Sequence, residues 1–332
     1  MFCINPFKRA IITESGNVHI CCTGWLPDKN IGNILRSNLM DLWKGPDAKE
    51  IRESILDQSF RYCTTCPYLP GPRAFTKLSS PPAPYWDPTR IETLELTYDQ
   101  SCNLTCPSCR LTPFNLWKDK KERITKAHEI HKAFLNSGAL AHIDTLYITG
   151  SGDPFASEVY WPFLKNFPDM RNNNKLCLYL QTNGQLFDRE HWEQMGSAKE
   201  RVRTIGISVD AACEKTYKLN RGASWNKLWN NVSFINSIRK NPPNNIPISL
   251  GMFFVMQENN FLEIPEFVKL AMHNQIAWIV FQCLRNYGTY SSEKYLHRAI
   301  HLPSHPRHEQ FLNTLQDPIL KNEAGYCTVM QR

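Results

Sequence analysis

The sequence predicts an α/β fold of six parallel strands joined by crossover helices, with a small cysteine-rich region ahead of it. Three observations carry the prediction. Over residues 90 to 290, short β-rich runs alternate with longer stretches whose apolar residues recur every three or four positions. Residues 67 to 88 hold Pro67, Pro70, Pro72, Pro81, Pro82, Pro84 and Pro88, a density that excludes both regular helix and central strand. Cys3, Cys21, Cys22, Cys63 and Cys66, five of the 12 cysteines, precede that break. The expected divisions are a cysteine-rich domain over 1–75, a proline-rich linker over 76–89, the α/β domain over 90–290 and a C-terminal extension over 291–332, poised as a lid.

Strands are expected at 93–98, 145–149, 175–181, 204–209, 248–255 and 278–283, where β-branched and aromatic residues cluster and polar or glycine residues follow. Helices are expected at 122–136, 225–238 and 262–272, each with an apolar stripe at helical spacing. Six strands give a (β/α)6 count, and in such architectures function collects at the carboxyl ends of the strands. His128 and His131, three apart on the first helix, read as part of an exposed amphipathic face.

At 332 residues and 42% apolar, the chain has material for a sizeable core. The net charge of +7 is spread without a basic block, which disfavours nucleic acid as a partner. The opening residues lack the order of a signal peptide and no apolar run spans a membrane, so a cytoplasmic location is expected. In that reducing compartment, clustered cysteines serve metal ligation before disulfides.

Cys102, Cys106 and Cys109 stand at intervals of four and three directly after the first expected strand. Zinc sites pair cysteines as two separated knuckles, whereas three thiolates on one loop can hold three corners of an iron–sulfur cube and leave the fourth iron open. Thr149-Gly150-Ser151-Gly152-Asp153-Pro154 follows the second strand, Gln181-Thr182-Asn183-Gly184 the third and Ser208-Val209-Asp210 the fourth, with Tyr217-Lys218-Leu219-Asn220-Arg221-Gly222 downstream. In this order the segments resemble the radical S-adenosylmethionine superfamily over residues 90 to 290.

The resemblance implies a partial (β/α)6 barrel. It also implies a 4Fe–4S cluster on Cys102, Cys106 and Cys109, and S-adenosyl-L-methionine held by Gly150, Ser151, Gly152, Asp153, Asn183, Ser208, Asp210 and Arg221. Asp153 would complement the cofactor's ammonium and Arg221 its carboxylate. Ser108 stands where the family often has an aromatic residue against adenine.

The run Cys3, Gly16 to Cys22, Ile31 to Ile34, Leu42-Trp43 and Cys63-Thr64-Thr65-Cys66 resembles a SPASM-type module, placed ahead of the barrel rather than behind it. It implies one auxiliary 4Fe–4S cluster on Cys3, Cys21, Cys63 and Cys66, with Cys22 as the alternative to Cys21. Two 4Fe–4S clusters are therefore expected. A zinc site on the same four thiols is the bland alternative.

The resemblance further implies reductive cleavage of the cofactor to a 5′-deoxyadenosyl radical, fed by a low-potential donor such as flavodoxin or ferredoxin. That radical would take hydrogen from a peptide or carbohydrate-type natural product. Oxidation or cross-linking follows if an electron leaves; epimerisation follows if a side chain returns hydrogen. Cys283, closing the sixth strand, and Cys327, in the C-terminal extension, are the candidate hydrogen donors. Tyr217 to Gly222 tilts the substrate toward peptide, although no leader-binding module is expected ahead of the barrel. A non-catalytic iron–sulfur carrier or sensor, and a zinc-bearing nucleic-acid binder, are the rival readings.

Overall fold

The computed structural model describes residues 3–23, 26, 29–63, 66, 90–148, 151–321 and 326–330. The expected linker therefore lies almost entirely outside the described residues, as does Gly150. The N-terminal region runs α1 (Asn5–Lys8), β1 (Arg9–Thr13), β2 (Val18–His19), α2 (Leu39–Lys44) and α3 (Pro46–Leu56). Asn38 caps α2 by accepting from Met40 N at 2.9 Å, and Pro46 opens α3, where a missing N–H costs nothing.

The larger region holds β3 (Thr93–Thr97), α4 (Lys120–Asn136), β4 (Thr145–Ile148), α5 (Tyr160–Lys165), β5 (Cys177–Thr182), α6 (Arg189–Gln194), β6 (Val202–Ser208), α7 (Glu214–Arg221) and α8 (Trp225–Lys240). It continues through β7 (Ser249–Met256), α9 (Ile264–His273), β8 (Trp278–Cys283), α10 (Ser292–Arg298), α11 (His308–Thr314) and β9 (Cys327–Met330). β3 to β8 lie side by side in sequence order and all parallel. A doubly wound sheet reverses its order at a switch point; an unbroken order with right-handed crossovers keeps every helix on one face and curls the sheet into a partial barrel.

Burial alternates along the strands. Leu94 and Leu96, Leu146 and Ile148, Leu178 and Leu180, and Ile279 and Phe281 are each 0% exposed. They form one core with Ala127, Ile130 and Phe134 of α4, Leu228, Val232 and Ile235 of α8, and Phe267 and Val268 of α9. Each such side chain contributes about 1.5–3 kcal/mol. On the other face Glu95, Tyr147, Tyr179, Gln181 and Trp278 are half-buried inside the curl. Gly251 is required there, because a Cβ would lie 2.0 Å from the Trp278 ring.

Three strands extend the expected six, β1 and β2 at one edge and β9 at the other. β1 pairs in parallel with β3 from Arg9 opposite Thr93 to Thr13 opposite Thr97, so the N-terminal region joins the barrel's own sheet. β9 pairs in parallel with β8, with Cys327 opposite Ile279. The last described residues of the expected lid are thus an edge strand. His131 also departs from expectation: it is half-buried, and its Nδ1 shares a 2.6 Å hydrogen bond with the Tyr98 hydroxyl. No described helix is long and apolar enough to cross a membrane.

Candidate functional site

The loop leaving β3 is fixed before it reaches the cysteines. Asp99, 2% exposed, accepts from Ser101 N at 2.9 Å, Ser101 Oγ at 2.6 Å and Val159 N at 3.1 Å, and also from the Ser157 hydroxyl. Gly152 packs against this loop; a Cβ on it would lie 2.2 Å from Ser101 O, so only glycine lets the β4 and β3 loops meet. Beyond Ser101 the backbone turns tightly, with Cys109 N donating to Cys106 O at 2.8 Å and Arg110 N at 3.0 Å.

Cys102, Cys106 and Cys109 share one cavity with Arg110, Ser151, Gly152, Gln181, Thr182, Asn183, Ser208 and Arg221. These residues come from the carboxyl ends of β3, β4, β5 and β6 and from the end of α7. Leu104 supplies the apolar wall, and no aromatic side chain lines the cavity among the described residues. Arg110 and Thr182 are the additions that the sequence signal allowed, since one follows the third cysteine directly and the other stands in Gln181-Thr182-Asn183-Gly184.

Donors are aimed at the thiols. Leu104 N lies 3.4 Å and Asn183 Nδ2 3.8 Å from Cys102 Sγ, and Arg110 Nη2 lies 3.7 Å from Cys109 Sγ. Arg110 is held by Gln100 O and Ser151 O, each at 3.0 Å. Burial first, then Asp153, pushes the Cys102 thiol up to about 12, while Arg110 pulls it back. Burial likewise raises Cys106, and Arg221 opposes it. Deep burial alone would favour loss of the Arg221 proton, yet Cys106 and Asp210 hold its pKa above the usual guanidinium value. Two buried cations thus face three thiols that must ionise to bind iron.

The two carboxylates of the resemblance sit behind the wall rather than on it. Asp153 is 1% exposed, and its oxygens accept from Thr182 Oγ1 at 2.7 Å, Asn183 N at 2.8 Å and Phe155 N at 3.0 Å. These bonds stitch the β4 loop to the end of β5. Asp210, also 1% exposed, accepts from Val255 N at 2.7 Å and from Arg221 Nη1 at 3.1 Å. Its φ of 62° lies in the left-handed region that a non-glycine residue enters only when its surroundings hold it there. Asp210 therefore aims Arg221, whose buried Nε has no partner among the described residues.

In the N-terminal region, four thiols from distant positions gather. Burial first, then Cys3, Cys22 and Cys63, raises Cys21 to about 12. Burial and then Cys66 and Cys3 raise Cys63 to about 11. Cys3 and Cys63 pack on Phe7, Ile55 and Phe60. Cys22 is half-buried beside Cys21 and packs against the main core. Among the described residues no three His, Cys, Asp or Glu side chains converge on a point suited to a single metal ion.

The family model of an iron–sulfur cluster-binding domain, SPASM, matches residues 3–67. Those residues are a SPASM domain. Compared by sequence with curated proteins, the chain has no match. Among solved structures, Streptococcus suis SuiB is similar at 16% identity and a TM-score of 0.46, covering 72% of this chain and 49% of SuiB. Native anSMEcpe with bound AdoMet is similar at 17% identity and a TM-score of 0.44, covering 71% of this chain and 63% of that one. TYW1 with a lysine-pyruvate adduct is similar at 15% identity and a TM-score of 0.39, covering 70% and 72%. The chain thus spans about half the length of SuiB.

Toward the sheet edge away from residues 3–67 lie the two candidate hydrogen donors. Cys283 continues the alternation of Ile279 and Phe281 and joins the core they share with α9. Cys327, opposite Ile279, takes the same face, and it lies level with the start of β8 rather than with its carboxyl end. Both point toward the helices, not into the barrel.

Proposed function

We propose that the chain is a radical S-adenosylmethionine enzyme that takes hydrogen from a carbon of a peptide or carbohydrate-type substrate. One observation supports it above the others: three thiols of one strand-end loop share a cavity with polar residues from the next three strand ends and with a buried arginine. When bound, a reduced 4Fe–4S cluster and S-adenosyl-L-methionine supply hydrogen abstraction by a 5′-deoxyadenosyl radical.

The chain's part is to bind and orient. Cys102, Cys106 and Cys109 would hold the cluster and leave one iron facing the cavity. Arg221, aimed by Asp210 and with Nε unspent, suits the cofactor's carboxylate. Ser151 and Gly152 bring backbone close enough to meet its amino group, and Asn183 and Ser208 complete the polar wall. Cys3, Cys21, Cys63 and Cys66 would close an auxiliary cluster with four thiolates, better suited to passing electrons than to binding substrate.

With Cys283 and Cys327 on the helix face, oxidation or cross-linking is favoured over epimerisation by either thiol. The Tyr217 to Gly222 stretch, folded as α7 against the cavity, favours peptide over sugar. Incubation of the reconstituted chain with dithionite, S-adenosylmethionine and candidate peptides should give 5′-deoxyadenosine together with a product lacking two hydrogens. Absence of 5′-deoxyadenosine from a chain with full iron would overturn the assignment, and an unchanged product mass would overturn the oxidative outcome.

A further inference from the structure

We propose that the loop beyond Cys109, together with the start of α4, is the docking surface for an acidic one-electron carrier protein of the flavodoxin class. The inference rests on the reading that the triplet holds a cluster needing an external electron. Of the three thiols Cys109 alone is exposed; Cys106 is buried and Cys102 half-buried. Electron transfer falls steeply with distance, so the carrier gains most by approaching from the Cys109 side.

The surface beside Cys109 has the make-up of a transient interface. Leu111 and Leu116 are 73% and 67% exposed, an unusual cost for large apolar side chains so close together in sequence. They are not loose. Phe114 is buried between them and packs 5.1 Å from the Trp117 ring, while Trp117 Nε1 closes the loop by donating to Thr112 O at 3.0 Å. Arg110 and Arg123 lie over the Trp117 ring at 5.6 and 5.1 Å.

Charge decides the occupant. Residues 110–126 carry six Lys or Arg against two carboxylates; Arg110 is buried, Arg123 pairs with Asp119 and Lys120 with Glu158, which leaves the exposed Lys118, Lys121 and Lys126 against Glu122. Lys118 and Lys121 are exposed around the leucines. An apolar centre with a cationic rim fits an acidic partner, steered in by long-range attraction. Redox encounters bury little area, so a patch of this size suffices. In the step itself one electron leaves the flavin hydroquinone, giving the semiquinone, and enters the cluster; no covalent bond forms or breaks.

The test uses the full chain with reconstituted clusters and a photoreduced acidic flavodoxin, following cluster bleaching by stopped flow. Dithionite reduction of the same samples is the parallel measurement, and it separates failure of docking from absence of a reducible cluster. The rate with flavodoxin should fall with added salt, and K118E/K121E should lower the second-order rate at least tenfold at low salt while leaving the dithionite rate unchanged. L111S/L116S should slow the flavodoxin rate and keep its salt dependence. K240E, at the far end of α8, should change neither. Equal flavodoxin rates for wild type and K118E/K121E would overturn the proposal. So would equal slowing with dithionite, or an association of the chain with itself that K118E/K121E abolishes without touching the flavodoxin rate.

Discussion

The two cysteine sites are built on opposite plans. The barrel triplet comes from eight consecutive residues after β3, ringed by a polar cavity and faced by Arg110 and Arg221. The SPASM quartet is drawn from positions spread between Cys3 and Cys66 and rests partly on Phe7, Ile55 and Phe60. A loop motif can be prepared by one strand and its neighbours, and its surroundings are free to bind something else. A dispersed quartet needs its whole domain folded, and its thiols are raised first by burial and then by one another. The difference fits the proposed function, in which the triplet would hold an open, ligand-binding cluster and the quartet a closed one.

Removing one corner of the quartet is the largest disturbance. Cys21→Ala should remove about four of about eight irons per chain, whereas Cys22→Ala should keep them, since Cys21 is the neighbour on which Cys3 and Cys63 act. Iron and sulfide analysis checks both, and equal loss would erase the distinction between the neighbours. On the barrel side, Gly152→Ala drives a Cβ to 2.2 Å from Ser101 O and should cost about 2–4 kcal/mol, read from the denaturation midpoint. A loss under 0.5 kcal/mol would mean that the loops can part.

Acid should act on the barrel through His131. Burial first, then His128, pushes its pKa down to about 4, below the unfolded value of about 6.5. The unfolded chain therefore takes up the proton first. The stabilisation is fully present above about pH 6.5 and is lost as pH falls toward 4, worth about 3 kcal/mol in all. His131→Phe should flatten that slope in pH-dependent denaturation; an unchanged slope would place the titration elsewhere. The smallest effect is expected at Arg110. Arg110→Gln should lower the midpoint potential of the triplet's cluster by about 59 mV, a tenfold shift for one electron, and Arg110→Lys should recover only part of it. Redox titration followed by electron paramagnetic resonance reads both, and the signal of the auxiliary cluster should stay in place.

The strands were legible because period and length agree: 278–283 coincides with β8, and the other five are displaced by no more than two residues at either end. β1 and β9 escaped, being five and four residues long, one hidden in the cysteine-rich region and one in the tail. The triplet's cavity was legible because strand ends converge by rule. Side-chain direction was not legible. Asp153 turns from the cavity because Thr182 and Asn183, far along the chain, take its oxygens. Trp278 to Gln282 is almost continuously apolar, as in a strand covered on both faces, so nothing in its composition shows which side Cys283 takes.

The most direct test of the central claim measures iron and 5′-deoxyadenosine side by side in the Cys102→Ala/Cys106→Ala/Cys109→Ala variant. Iron should fall from about eight to about four per chain, leaving the SPASM cluster intact, and 5′-deoxyadenosine should vanish. Retained 5′-deoxyadenosine at half the iron would contradict the account, because the open, reactive site would then belong to the quartet.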